Sequence, residues 1–127
     1  MTQPRFDSDI AHDGAHDRAR AGVRRLMVRE PTKATLRKYG LVLPEWRAIL
    51  ERQGGVCAIC GQVPSSGRLV TDHEHVRGWK KLPPAMRART VRGLLCWFDN
   101  FKVLGRGVTA ERLRNAAAYL ERYEALK

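Results

Sequence analysis

Two cysteines two residues apart, Cys57-Ala-Ile-Cys60, are followed far downstream by Cys96 and, three residues later, by Asp99. No other feature limits the folds open to this chain as tightly. A Cys-x-x-Cys turn aims two thiolates at one point, which suits a tetrahedral zinc ion. A redox dithiol is the rival use, but that motif opens a helix in a βαβ setting, and the surrounding sequence offers none. Thirty-five residues separate Cys60 from Cys96, enough to hold a β-hairpin. Asp99 stands where a fourth cysteine is expected, and a carboxylate oxygen is an acceptable zinc ligand. The alternative is a degenerate site in which Asp99 only caps a helix.

Composition explains why a staple would be useful. The chain has 127 residues, a length that suits one domain, and only 7% are aromatic. A core of that kind is small and gains from a metal. The start, "MTQPRFDSDIAHDGAHDRAR", has no apolar stretch of secretory type, and no run approaches transmembrane length. A reducing cytoplasm is the expected compartment, where three cysteines serve a metal better than disulfides. Lys and Arg number 24 against 13 Asp and Glu, a net charge of +11 and a pI near 10.4. That excess points to a polyanionic partner, most often nucleic acid. On charge alone a basic ribosomal or membrane-surface protein stays open.

Residues 1–38 read as a basic, polar arm, partly helical or disordered, in which Val23, Leu26 and Met27 can line a short face before Pro31. His12 and His16 are four apart there, and two solvated histidines explain them better than a metal pair. "LPEWRAILERQGG" reads as a helix, with Pro44 in its first turn, Trp46, Ile49 and Leu50 on one face, and Gly54-Gly55 as its stop. "RLVTDHEHV" and "TVRGLL" read as strands, and "RGWKKLPPAMRAR" between them as a basic loop with two prolines. "CWFDNFKVLG" opens a helix ending at Gly105. Thr109 caps a last helix whose stripe of Leu113, Ala116, Ala117, Leu120 and Tyr123 predicts packing on the core. The expected units are the arm (1–38), the central domain (39–108) and the last helix (109–127).

"TDHEH", residues 71–75, gathers two carboxylates and two histidines. On a regular strand Asp72 and Glu74 would face one way and His73 and His75 the other, and paired histidines can simply be solvated. Beside a thiolate cluster in a basic chain, phosphodiester hydrolysis is the sharper reading. It needs a base near neutral pH, which histidine supplies. It also needs a hard cation on few oxygen ligands, for which Asp72 and Asn100 are candidates.

The ordered runs "YGL…W…ILERQGGVCAICGQ", "DHEH" and "VRGLLCWFDN", over roughly residues 39–105, resemble the recombination endonuclease VII family of phage and bacterial nucleases, within the His-Me finger (HNH-like, ββα-metal) group. The resemblance implies a hairpin followed by a helix with the active site between them. It implies Asp72 and Asn100 as ligands of a catalytic Mg²⁺ or Mn²⁺, His73 as the base that activates water, and His75 as a residue that orients the phosphate or supports the site. Cys57, Cys60 and Cys96, with Asp99, would hold a structural Zn²⁺. Asp72 and His73 can both serve the site if the first strand is bulged or ends there. The chain departs from the family where Asp99 replaces a cysteine, where the hairpin connection is long, and where one helix stands in place of a larger C-terminal part. Junction resolution therefore does not follow from the resemblance.

The expected fold is α+β, a small zinc-stapled ββα-metal core with flanking helices. The expected function is a metal-dependent DNA endonuclease of a bacterial or phage-infected cell, with structure-selective nicking or junction cleavage as open variants. Arg77, Lys80, Lys81, Arg87, Arg89 and Arg92 are the candidate DNA contacts, and Trp79 among the cations favours a DNA-contacting loop. No membrane is expected, and a homodimer is left open. A non-catalytic zinc-stapled nucleic-acid-binding module is the competing class; it has no need of Asp72, His73 and Asn100 together.

Overall fold

A computed structural model of the chain describes residues 27–127. His12, His16 and most of the expected arm lie outside the described residues. The arm's last segment belongs to the core instead: Val28 is buried, and helix α1 spans Lys33–Tyr39. Thr32 caps α1 by accepting a hydrogen bond from the Thr35 amide at 3.2 Å. Gly40 ends it in the left-handed region, with φ +70°.

Gly40 is required on two grounds. A Cβ there would lie 2.0 Å from the carbonyl oxygen of Pro84. Gly40→Ala should therefore cost roughly 2–4 kcal/mol, part left-handed strain and part clash. Gly107 has φ +73° with nothing within 4 Å of an added Cβ, so Gly107→Ala carries the strain alone. Denaturant melts of both variants check this; equal losses would remove the close approach from the explanation.

Helix α2, Leu43–Arg52, starts with Pro44 in its first turn, and Glu45 accepts from the Val42 amide at 2.9 Å. Its inner face buries Trp46 and Leu50 completely, at about 1.5–3 kcal/mol for a fully buried side chain. Strands β1 (Val70–His73) and β2 (Val91–Leu95) form one antiparallel pair. The buried Gln53 ties α2 to β2. Its amide donates to the carbonyls of Val56 and Leu94 at 2.9 Å, and its carbonyl accepts from the Leu94 amide at 2.8 Å. A Cβ on Gly93 would sit 2.9 Å from that side-chain oxygen, so the glycine is what admits Gln53. Val28, Tyr39, Leu41, Trp46, Leu50, Trp79 and Leu94 make one core cluster.

The connection between the strands is not the basic loop expected. It folds into a 3₁₀ turn, Trp79–Lys81, and helix α3, Pro84–Thr90, which runs straight into β2. Pro84 suits a first helical turn, where its missing N–H costs nothing. The first strand is shorter than "RLVTDHEHV" implied, because its partner becomes α3 beyond Val91.

After β2 the chain turns into a π-helical segment, Asp99–Leu104, closed by Gly105. Helix α4, Ala110–Glu124, is capped by Thr109 as expected. Its apolar stripe does not pack on the core: Leu113 and Ala117 are half-buried, whereas Ala116, Leu120 and Tyr123 are exposed. Gly105 and Gly107 turn the chain before α4, and the small core is already closed by α1, α2 and the strand pair. No helix among the described residues is long and apolar enough to cross a membrane. The fold is α+β, with a cysteine-rich cluster where a zinc staple fits.

Candidate active site and metal centre

The cysteine cluster is assembled by the tight turn after α2 and the turn after β2. The candidate ligand atoms of Cys57, Cys60, Cys96 and Asp99 all lie within 4.8 Å of one another. An Asp99 carboxylate oxygen is 3.2 Å from both Cys57 Sγ and Cys96 Sγ, and the Cys60 and Cys96 sulfurs are 4.0 Å apart. A tetrahedral ion with Zn–S near 2.3 Å and Zn–O near 2.0 Å places its ligands roughly 3.5–3.8 Å apart, so the set fits zinc with small adjustments. The amides of Ile59 and Asp99 point at Cys57 Sγ and Cys96 Sγ, each at 3.4 Å, as expected of backbone that stabilises thiolates. Burial, followed by the neighbouring Cys57 and Asp99, pushes the Cys60 thiol up to about 12. Burial and Asp99 also raise Cys96. Four acidic groups so close together call for a cation, which would reverse that trend.

The second cluster lies at the end of β1. Asp72 pairs across the sheet with Gly93 and His73 with Val91. Two successive residues of β1 thus face a three-residue stretch of β2, and Arg92 is the extra one. Of the two alternatives expected for the first strand, the second holds, since β1 ends at His73, and the bulge lies on β2. Arg92 grips Asp72 with both nitrogens of its fork, Nε to Oδ2 at 2.8 Å and Nη2 to Oδ1 at 3.0 Å.

His73 is half-buried in an aromatic setting. It stacks on Trp79 with ring centres 4.2 Å apart and 28° between planes, and it lies 5.6 Å from Tyr39 and 5.0 Å from His75. Burial first, then the charge of His75, hold His73 below the ordinary imidazole range; Asp72 pulls it back up less strongly. The Tyr39 hydroxyl is held protonated by burial and by Asp72. Trp79 is only 9% exposed, and its indole N–H donates to Thr90 Oγ1 at 2.9 Å. It therefore packs the imidazole rather than presenting a ring to solvent, contrary to its expected place in a DNA-facing loop.

The candidate DNA contacts divide in two. Arg77, Lys80, Lys81 and Arg89 are exposed. Arg87 closes the C-terminal end of α1: Nε donates to the Lys38 carbonyl at 2.8 Å, Nη2 to that of Arg37 at 3.2 Å, and Nη1 to that of Leu82. Its fork is thus engaged in holding α1 and α3 together. Asn100 is half-buried and is tied to the cysteine cluster through its backbone, its amide donating to the Cys96 carbonyl at 3.0 Å. Residue-type reasoning did not find Tyr39 as a neighbour of His73, nor Gln53 as the brace behind β2. Both stand in the run "YGL…ILERQGG", but nothing in the run shows what they touch, because their partners are 34 and 41 residues away in sequence.

Comparison with known proteins identifies the family. The family model for recombination endonuclease VII matches residues 32–122, a wider span than the motifs alone suggested. The "Gene 59 protein" of Mycobacterium phage D29 is 36% identical over 94 residues, covering 72% of this chain and 50% of that protein. The chain thus spans about half the length of that curated relative. No solved structure matches. With the cysteine cluster, the Asp-His-Glu-His strand end and the Arg-Gly-Leu-Leu-Cys strand all inside the matched span, the chain belongs to the recombination endonuclease VII family.

Proposed function

We propose that this protein is a metal-dependent DNA endonuclease of the His-Me finger type. The observation that carries the reading is the strand end at Asp72-His73. A buried carboxylate adjoins an imidazole that is packed on Trp79 and held toward its neutral, proton-accepting form. The family's activity on DNA and the charge of +11 agree with it.

In this reading Asp72 and Asn100 hold a Mg²⁺ or Mn²⁺ ion. Asp72 suits the task because its buried carboxylate, paired here with Arg92 at 2.8 Å, is a site built for a cation. A divalent ion held by Asp72 and Asn100 would supply Lewis acidity to the phosphodiester. Neutral His73 takes the proton of the attacking water. The water oxygen bonds to phosphorus as the P–O3′ bond breaks, and the departing 3′ oxygen takes a proton from solvent water, giving a 5′ phosphate and a 3′ hydroxyl. His75, exposed with its ring 5.0 Å from that of His73, orients the phosphate or supports the site. Arg77, Lys80, Lys81 and Arg89 hold the backbone without reading base sequence. Zinc on Cys57, Cys60, Cys96 and Asp99 fixes the start of the segment that bears Asn100.

Plasmid nicking with Mg²⁺ or Mn²⁺, and its loss in EDTA, tests the reading. Asp72→Ala and Asn100→Ala should each move the metal dependence to higher concentration, because each deletes one oxygen ligand. Excess Mn²⁺ should partly restore cleavage. Unchanged metal titrations in both variants would place the ion elsewhere. Tight DNA binding with no nicking under any divalent ion would favour the non-catalytic zinc-stapled module.

A further inference from the structure

The pair formed by Asp72 and Arg92 is asymmetric. The Asp72 side chain is 8% exposed, whereas that of Arg92 is 49% exposed. The anion is fixed in the floor of the site, and the cation reaches it from the solvent side. The register explains the reach: Arg92 is the β2 residue left over between the Asp72–Gly93 and His73–Val91 pairs. A bulge of this kind re-aims a side chain, and such bulges are common beside active sites.

Both carboxylate oxygens are occupied by the guanidinium. A Mg²⁺-sized ion would sit about 2.0–2.1 Å from an Asp72 oxygen, where it is repelled by, and competes for lone pairs with, a guanidinium bonded to that same carboxylate. Withdrawing Arg92 with no replacement is also unfavourable, because it strands a buried charge. The exchange of one cation for the other avoids both penalties.

We infer that Arg92 is a displaceable counter-ion. It holds Asp72 ordered and charge-balanced until a divalent cation takes its place, and its freed fork then binds non-bridging oxygens of the phosphodiester. The planar fork suits phosphate in the same two-point manner as carboxylate. Ion and DNA binding are then coupled, since each draws Arg92 away from the other's competitor. The inference rests on Asp72 being an ion ligand.

The test is a Mn²⁺ titration followed by electron paramagnetic resonance, without DNA, on the full chain purified with zinc. Wild type is compared with Arg92→Gln, Arg92→Lys and Asp72→Asn. Arg92→Gln should bind Mn²⁺ about tenfold more tightly, because a charge-assisted competitor is gone. Its cleavage at saturating Mn²⁺ should nonetheless fall about 10²-fold, for loss of a phosphate donor. Arg92→Lys, which keeps the charge but not the fork, should lie between Arg92→Gln and wild type in Mn²⁺ affinity, and it decides the matter if Arg92→Gln does not fold. A residue that merely orders Asp72 would instead weaken Mn²⁺ binding when replaced, and a simple DNA contact would leave it unchanged; either result overturns the proposal. If Asp72→Asn keeps wild-type Mn²⁺ affinity, the assignment of Asp72 fails and the exchange with it. If binding needs Asp72 but ignores Arg92, the exchange alone fails.

Discussion

His73→Ala should lower DNA cleavage by about 10²–10⁴-fold, the usual contribution of a general base, with DNA affinity and fold retained. The side chain is half-buried against Trp79 and Tyr39, so the loss of packing is small beside the loss of the base. The structure also sets the direction of the pH profile. A base works in its neutral form. Burial and His75 lower the pKa of His73 from 6.5, so the neutral form persists to lower pH than for a free imidazole. The acid limb of the wild-type rate should therefore lie below 6.5, not at it. Rates measured across pH at saturating Mg²⁺, with a thermal melt of the variant, check both points. Wild-type nicking by folded His73→Ala would remove the residue from the mechanism. An acid limb well above 6.5 would contradict its aromatic, desolvated setting.

The second large effect concerns the cysteine cluster. Structural zinc contributes on the order of 10 kcal/mol in small zinc folds, against a whole-domain stability of about 5–15 kcal/mol. Cys57 is fully buried, and two of its three cluster partners, Cys96 and Asp99, lie across the fold on the turn after β2. Cys57→Ser should therefore leave the chain largely unfolded, and chelation of the wild type should act in the same direction. Asp99 tunes the site. Its oxygen is a harder donor than a thiolate, so Asp99→Cys should tighten zinc and raise the melting temperature, and Asp99→Ala should lower both. Asp99→Ala should also reduce cleavage, because Asn100 is the next residue and is aimed from the same turn. Metal analysis of protein purified without added zinc, alongside these melts, is the measurement. A well-folded, zinc-free wild type would falsify the staple. The rival account, in which Trp97 and Phe98 replace the metal by apolar packing, finds no support: they are 56% and 60% exposed.

Much of the candidate site was legible because its signals are local. Cys57 and Cys60 share one turn, and Cys96 and Asp99 another, so spacing alone paired them correctly. Thr109 and Gly105 act within a residue or two of where they stand, and caps depend on neighbouring backbone rather than on distant packing. The two strands and α2 followed from apolar periodicity, which reports which face is covered. Charge density found Arg77, Lys80, Lys81 and Arg89, which are exposed. It could not separate them from Arg87, whose fork closes α1 across 49 and 50 residues.

The sequence by itself determined the two halves of the cysteine–aspartate cluster, helices α2 and α4, and the strand end that carries Asp72 and His73, since each depends on residues a few positions apart. Only the tertiary structure decided which face of those residues is used. It put Trp79 beneath His73 instead of toward solvent, shifted the bulge to β2 so that Arg92 meets Asp72, and left the stripe of α4 uncovered. Each outcome depends on what remains to be covered once the core has closed. Charge and hydropathy state what a side chain can bury or bind, but whether it does so is set by partners brought near from tens of residues away.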